Sequence, residues 1–427
     1  MINVGVFPSG SEVSLEVSRS LKHSKDINLF GLGSLPDYGQ VEFENNISTL
    51  PFFTEPNFIS SLKAAIKDHK IKFLIPGMDE VAYFLKLNEE EIGCQVVYAS
   101  LETAEIIRRK SSTYAALEGH VPTPLIYDKD HLSASTDFPI FSKPDIGYGS
   151  REARKIETSA HLNQISKEDR GANIYIEYLP GEELTVDCFS NNSSQVLFAG
   201  PRKRDRIRMG ISVSTRPVEL TREIDDLAGS ISKKLSMIGC WFFQIKKSAT
   251  GEFKLMEVAS RVSGSMSTYR LMGVNFILLD IYQRLGLSVS VPKLSCCYTR
   301  LERAFDVKAV GYPSFDSVYV DLDDCLILKS LVNTDLISFL YGCRNKNIPI
   351  YLITRHSLNL DETLTQYRIS TLFDDIIHIT DGRPKSEFMN HEKPLFIDDS
   401  FAERQEVSET IRCNVASPDM ISKELLK

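Results

Sequence analysis

WFFQIKKSATGEFKLMEVASR, residues 241–261, reads as two apolar strand runs folded about a short turn at residues 248–252. The turn centres on Thr250-Gly251, whose glycine accepts the positive φ that a tight reversal needs. Symmetry about that pair sets Gln244 opposite Glu257, so the two side chains share one face of the sheet. They lie among Phe242, Ile245, Leu255 and Val258, where a polar pair without a ligand is costly to bury. An amide oxygen beside a carboxylate suits a hard cation such as Mg²⁺, which prefers oxygen ligands. The alternative is a cross-strand polar pair on a solvated face. Arg261 leaves the end of the same strand and is the better-placed candidate for meeting an anionic group.

Upstream, IFSKPDIGYGSR (residues 140–151) is a strand ending in Lys143 and running into a loop with Gly147, Gly149 and Ser150. Glycines let backbone N–H groups turn toward phosphate oxygens, and the lysine adds a fixed positive charge. In IYIEYLPGEELTVD (residues 174–187), Glu177, Tyr178 and Leu179 close a strand. An acid followed by two apolar residues there can offer an adenine its edge contacts and an apolar bed. Glu183, past the turn at Pro180-Gly181, can accept from ribose hydroxyls. A β-hairpin with exposed glutamates is the alternative. PRKRDRIRMG (residues 201–210) carries Arg202, Arg204, Arg206 and Arg208, which suit an anionic substrate or a solvated strand.

Near the end of the chain, VYVDLDDCLIL (residues 318–328) ends an apolar strand in Asp321, Asp323 and Asp324. Carboxylates so close repel one another unless a cation relieves them. IPIYLITR (residues 348–355) ends in Thr354, PLFIDDS (residues 394–400) supplies Asp398 and Asp399, and Lys385 lies between them. One βα repeat uses most of each interval between these groups, leaving no room for a large cap domain. His356 is expected at the surface.

The rest of the chain frames these segments. Its 427 residues, 42% hydrophobic and 25% charged, have the balance of a soluble protein of about two to four domains. A net charge of −8 argues against a nucleic-acid partner held by counterion release. No apolar stretch reaches the roughly 18–20 residues that span a bilayer, and no signal peptide opens the sequence. The eight cysteines are scattered, as expected of reduced thiols in a cytoplasmic protein. Short apolar runs alternate with helical patterns at residues 11–22 and 57–69, which predicts a parallel α/β sheet. A helix is predicted over residues 101–118, broken by Pro122 and Pro124. A second follows Ile224, Leu227, Ile231, Leu235 and Ile238 with Gly239 as its stop, and a third lies near residues 276–285. Residues 288–314 read as a bridge to the C-terminal domain.

GVFPSGSEVSLEVSRSL (residues 5–21), PGMDE (76–80) and ETAEIIRRKSSTY (102–114, with Lys110) precede the blocks above in a fixed order. Together they resemble the ATP-grasp superfamily, specifically its carbamoyl-phosphate-synthase-like carboxylate–amine ligases, over about residues 1–290. The resemblance implies a multidomain α/β and α+β chain. A Rossmann-like pre-ATP-grasp domain would span residues 1–110 and an ATP-grasp domain residues 111–312. It implies ATP and Mg²⁺ (or Mn²⁺) as cofactors, small-molecule carboxylate and amine substrates, and a homodimer as one expected assembly. Lys110 and Lys143 would contact phosphates, with the loop of Gly147, Gly149 and Ser150 closing over them. Glu177, Tyr178 and Leu179 would hold adenine, Glu183 ribose, and Gln244 and Glu257 the metal. The chain departs from the family at EVASR, where Ala259 replaces an asparagine metal ligand.

The acidic, Thr, Lys, acidic order of the last quarter resembles the haloacid dehalogenase (HAD) phosphatases. It implies a capless HAD-like α/β domain over residues 313–427. Asp321 would be the nucleophile, Asp323 the general acid and base, and Thr354 and Lys385 the groups that orient the phosphoryl group. Asp321, Asp323, Asp398 and Asp399 would hold Mg²⁺. Cys325 stands where the family has threonine. The expectation is a bifunctional enzyme, a ligase with a fused phosphatase. Two alternatives are a phosphatase governed by a weak nucleotide-binding module, favoured by Ala259, and a ligase with a non-catalytic docking domain, favoured by Cys325.

Overall fold

The INVGVF run forms the strand Ile2–Phe7 at the centre of a five-stranded sheet. This computed structural model describes residues 1–128, 132, 137–147, 152–163, 172–208, 211–291, 300–304, 313–421 and 423–426. They divide into two compact units, Met1–Phe305 and Asp306–Lys427.

In the first unit the sheet runs Asn45–Ile47, Ile27–Leu32, Ile2–Phe7, Phe73–Pro76, Gln95–Val96, with every neighbouring pair parallel. The chain builds one side of the central strand before the other. A crevice therefore opens at the carboxyl ends of Ile2–Phe7 and Phe73–Pro76, where sheets of this kind receive ligands. Helices Glu12–Leu21 and Phe58–Asp68 follow the predicted patterns. Ser11 caps the first, its Oγ accepting from Ser14 N at 3.1 Å.

The helix predicted over residues 101–118 is two helices, Leu101–Arg108 and Lys110–Leu117. Arg109 between them is extended, at φ −110° and ψ 128°. Asp145 is the cause. Its carboxylate accepts from Ser111 N at 2.8 Å and Ser111 Oγ at 2.9 Å, and its carbonyl from Lys110 N at 3.1 Å. A residue distant in sequence thereby pairs donors that a helix start leaves free.

Two antiparallel sheets follow. The smaller runs Ile126–Tyr127, Asn173–Glu177, Ile140–Pro144, Arg154–Ile156. The larger, six-stranded, runs Phe253–Ala259, Gly239–Lys247, Glu183–Ser190, Val196–Arg208, Ile211–Pro217, Leu301–Glu302. Its last strand belongs to the segment read from sequence as a bridge, so part of that segment completes the first unit. Helix Arg222–Lys234 stops before Gly239. Ser236 takes a left-handed φ of 51°, and Met237 N donates to Ser232 O at 2.9 Å, a Schellman-type ending. Gly239 instead opens the next strand at φ 74°, where an added Cβ would meet the Asp280 carboxylate.

The second unit repeats the winding of the first sheet. Its parallel strands run Asp375–His378, Ile350–Thr354, Ser317–Val320, Pro394–Ile397, Asn414–Ala416. The interval between Asp321 and Thr354 holds only the two-stranded hairpin Ile327–Leu328/Leu331–Val332 and helix Thr334–Asn345 before its last strand. No helix among the described residues is long and apolar enough to cross a membrane.

One apolar core in the first unit joins Phe7, Leu74 and Val96 of the parallel sheet to Trp241, Phe243 and Ile245 of the six-stranded one. Phe243, 0% exposed, is expected to cost this unit about 3–5 kcal/mol when replaced by alanine. The readout is the fall in its denaturant midpoint; a loss below about 1 kcal/mol would show that the neighbours collapse into the space.

Candidate active site

The hairpin pairs Gln244 with Glu257, by a different route from the one the turn suggests. Next to the turn, Ser248 N donates to Glu252 O, Lys247 faces Phe253 and Ile245 faces Leu255. Continued unbroken, that register would set Gln244 against Met256. A bulge between Gln244 and Ile245 leaves Met256 unpaired and restores the Gln244–Glu257 match. Across the neighbouring strands Thr185 pairs with Gln244, and Arg202 with Thr185. Arg202, Thr185, Gln244 and Glu257 thus form one transverse row, and all of them line a cleft of about 430 Å³.

The Met256 carbonyl, freed from the ladder, accepts from Tyr114 Oη at 2.8 Å and Lys143 Nζ at 3.1 Å. Lys143 also donates to Tyr114 Oη at 2.9 Å. Burial, reinforced by the charge of Lys110, lowers the Lys143 ammonium to a pKa of about 7. Lys110 starts the helix capped by Asp145 and reaches into the cleft, donating to Gly147 O at 3.0 Å. Its pKa is also lowered by burial, against the pull of Glu257, Asp145 and Asp79.

Of the sequence-derived candidates, Lys110, Gly147, Arg202, Arg204, Gln244, Glu257 and Arg261 line this cleft. Arg261 is clamped by Asp79, with Nε and Nη2 each 2.6 Å from a carboxylate oxygen. Asp79 lies just past the end of Phe73–Pro76, so the pair ties the parallel sheet's crevice to the hairpin that carries Gln244 and Glu257. Lys143, Glu177, Tyr178, Leu179 and Glu183 do not line it. Glu177 accepts from Lys254 Nζ at 2.6 Å, Lys155 Nζ lies 4.8 Å over the Tyr178 ring, and Glu183 accepts from Arg204 at 2.6 Å. Gly149 and Ser150 lie outside the described residues. Arg202 is buried on Asp187 and Ser263, Nε to Asp187 at 2.7 Å, whereas Arg206 pairs outside the cleft with Glu302.

In the second unit Asp321 and Asp398 follow adjacent central strands, at that sheet's own switch point. Lys385 Nζ bridges them, 2.6 Å from each. Oxygens of Asp321, Asp398 and Asp399 gather within 4.8 Å of one another, a group that could hold a metal ion. Burial pushes up the Asp321 carboxyl; Lys385 pulls it down and Asp398 repels it, leaving a pKa raised to about 6. Burial works against the Lys385 ammonium, but Asp321 and Asp398 outweigh it and raise its pKa. Thr354 Oγ1 accepts from His356 N at 3.1 Å, and the Cys325 thiol faces Ile397 O at 3.7 Å.

His356 corrects the sequence reading. It is 8% exposed, with Nδ1 3.0 Å from both oxygens of Asp323 and Nε2 2.9 Å from Thr363 Oγ1. Sequence reasoning also passed over Thr185 and Arg303, which donates to Glu12 at 2.7 Å in the cleft wall. Strand alternation two residues beyond Glu183 would have signalled Thr185. Nothing local signalled Arg303.

Residues 171–302 match the family described as ATP-grasp in the biosynthetic pathway with Ter operon. Among solved structures, the biotin carboxylase domain of Hydrogenobacter thermophilus 2-oxoglutarate carboxylase, solved as a dimer with MgADP, ADP and bicarbonate, is similar. It has 16% identity and a TM-score of 0.58, over 68% of this chain and 71% of that one. N5-carboxyaminoimidazole ribonucleotide synthetase from Thermotoga maritima gives 17% identity and 0.53, over 69% and 78%. L-amino acid ligase from Bacillus licheniformis gives 15% and 0.52, over 66% and 74%. No curated protein matches the sequence. The chain carries an ATP-grasp domain.

The folded chain keeps a proton on Asp321 from its ordinary value of 3.8 up to about 6, where the unfolded chain has lost it. Stability from this group therefore falls as pH rises through that window. In metal-free buffer, Asp321→Asn is expected to stabilise the second unit at pH 7.5 by about 2–3 kcal/mol more than at pH 4. Equal shifts of the unfolding midpoint at both pH values would contradict the assigned burial effect.

Proposed function

We propose that the chain is an ATP-dependent ligase that activates a small carboxylate as its acyl phosphate and joins it to an amine, releasing ADP and phosphate. The carrying observation is the pairing of Gln244 with Glu257 in a cleft that Lys110 also enters. The ATP-grasp domain and the ADP bound by a similar structure support it. In this reading residues 1–110 are the pre-ATP-grasp domain and 111–312 the ATP-grasp domain. An oxygen pair on rigid strands fits Mg²⁺, which when bound would neutralise phosphate charge and polarise the transferring group.

The chain's own groups divide the remaining work. Lys110 and Lys143 meet phosphate oxygens, with the Gly147 carbonyl beside Lys110. Lys254 holds the Glu177 carboxylate at 2.6 Å, beside the bed that Tyr178 and Leu179 offer adenine. Glu183 exchanges Arg204 for a ribose hydroxyl. Arg261, oriented by Asp79, faces the acyl phosphate as its charge develops. The carboxylate oxygen attacks the γ-phosphorus, ADP leaves, and the amine then displaces phosphate from the acyl carbon, giving up a proton.

For the second unit, residues 313–427, we propose a capless HAD-like phosphatase acting on a phosphomonoester of the ligase's product or of a substrate. The observation favouring it is the Lys385 bridge between Asp321 and Asp398, with Asp399 beside them at strand ends. Asp321 attacks phosphorus and the ester P–O bond breaks. Asp323 protonates the leaving oxygen, then takes a proton from the water that frees Asp321. Thr354 and Lys385 steady the transferring group.

A phosphate beside Lys143 restores its charge, so nucleotide binding at pH 8 is expected to take up a large fraction of one proton. Calorimetry in buffers of different ionisation heat reads this uptake, and it should vanish in Lys143→Met. Glu257→Gln is expected to lower ADP formation, measured over a panel of carboxylates and amines, by about 10–100-fold. A wild-type chain that makes AMP, or no ADP with any pair, sinks the ligase reading. Asp321→Asn should abolish hydrolysis of p-nitrophenyl phosphate and leave ADP formation intact; unchanged hydrolysis would refute the phosphatase.

A further inference from the structure

We infer that Thr185 holds in place a water that completes the metal site, standing in for the donor that Ala259 cannot provide. The inference rests on the ligase reading above and concerns how this chain completes that site.

Thr185 sits on Glu183–Ser190, directly opposite Gln244, which is itself opposite Glu257. The three side chains therefore emerge from one face in consecutive strands, and all line the same cleft. Thr185 is 1% exposed. Its Oγ1 has no hydrogen-bond partner among the described residues. The next residue in the row, Arg202, is committed to Asp187 and Ser263 and does not satisfy it.

A buried hydroxyl without a partner lowers stability, and most such groups in folded proteins have one. Valine has the same branched shape and suits a strand as well, so neither packing nor strand propensity accounts for the hydroxyl. A metal-bound water at this face, needing a hydrogen-bond partner, does. Ala259, two ladder pairs along and opposite Phe242, also lines the cleft, but its methyl group offers no donor atom. With Gln244 and Glu257 as the other oxygens, the cation keeps several waters. Thr185 Oγ1 is placed to hydrogen-bond one of them and hold it in position. Groups that orient a metal's inner ligands typically affect its affinity by about 10–100-fold.

The test is Mn²⁺ binding in the presence of ADP, followed by the electron paramagnetic resonance signal of free Mn²⁺ and compared with ADP alone. Thr185→Val is expected to weaken Mn²⁺–ADP binding by about 10–100-fold. Thr185→Ser should retain it, and adding Ala259→Asn to Thr185→Val should recover it. The ligand-free Thr185→Val protein should melt at or above the wild-type temperature, because an unpaired hydroxyl has been removed. Binding equal to wild type in Thr185→Val would overturn the inference. So would weakened binding accompanied by a lower ligand-free melting temperature, which marks a packing role. If wild type shows no Mn²⁺ binding beyond that of ADP itself, the nucleotide reading fails first and takes this inference with it.

Discussion

A single unpaired residue, Met256, sets the geometry of the cleft. Its bulge shifts the hairpin by one position, and side chains alternate faces along a strand, so a shift of one decides which face receives Glu257. With the bulge, Glu257 meets Gln244 and Thr185 in one row. The same bulge frees the Met256 carbonyl, which then anchors Lys143 and Tyr114 from other elements. The row of Thr185, Gln244 and Glu257 and the buried lysine are thus two consequences of one irregularity in the ladder.

Around that row, cationic groups are held by acids before any ligand arrives. Arg261 rests on Asp79, Arg202 on Asp187, Arg204 on Glu183 and Arg303 on Glu12. Breaking a buried pair by removing one partner costs about 3–5 kcal/mol, so the Arg202–Asp187 pair, both residues buried, acts as a fixed strut. The more exposed pairs can exchange an acid for a ligand at far smaller cost. This separates arginines that hold the wall from those able to meet substrate.

The two units share one sheet winding but gather different groups at its switch point. In each, the first strand lies at the centre, and the crevice opens where the chain switches sides. In the first unit that crevice presents Asp79 to Arg261. In the second it gathers Asp321, Asp398 and Asp399 around Lys385, and His356 holds Asp323 nearby.

Local pattern determined much of this. The alternation of apolar runs and helical periods marked the parallel sheets, and the carboxylates at strand ends marked Asp321 and Asp398, because a strand's end is visible in its own residues. Turn chemistry marked the hairpin, and symmetry about Thr250-Gly251 named Gln244 and Glu257, although it is the bulge that brings them opposite one another. Four matters were settled only by tertiary structure. The break before Lys110 depends on Asp145, distant in sequence. The burial of His356 depends on Asp323 and Thr363 closing over a residue that looks like any strand-end neighbour. The bulge at Met256 and the isolation of the Thr185 hydroxyl depend on which strands lie alongside. Periodicity records which face a side chain takes on its own strand; what it meets there is set by partners that the chain brings from far away.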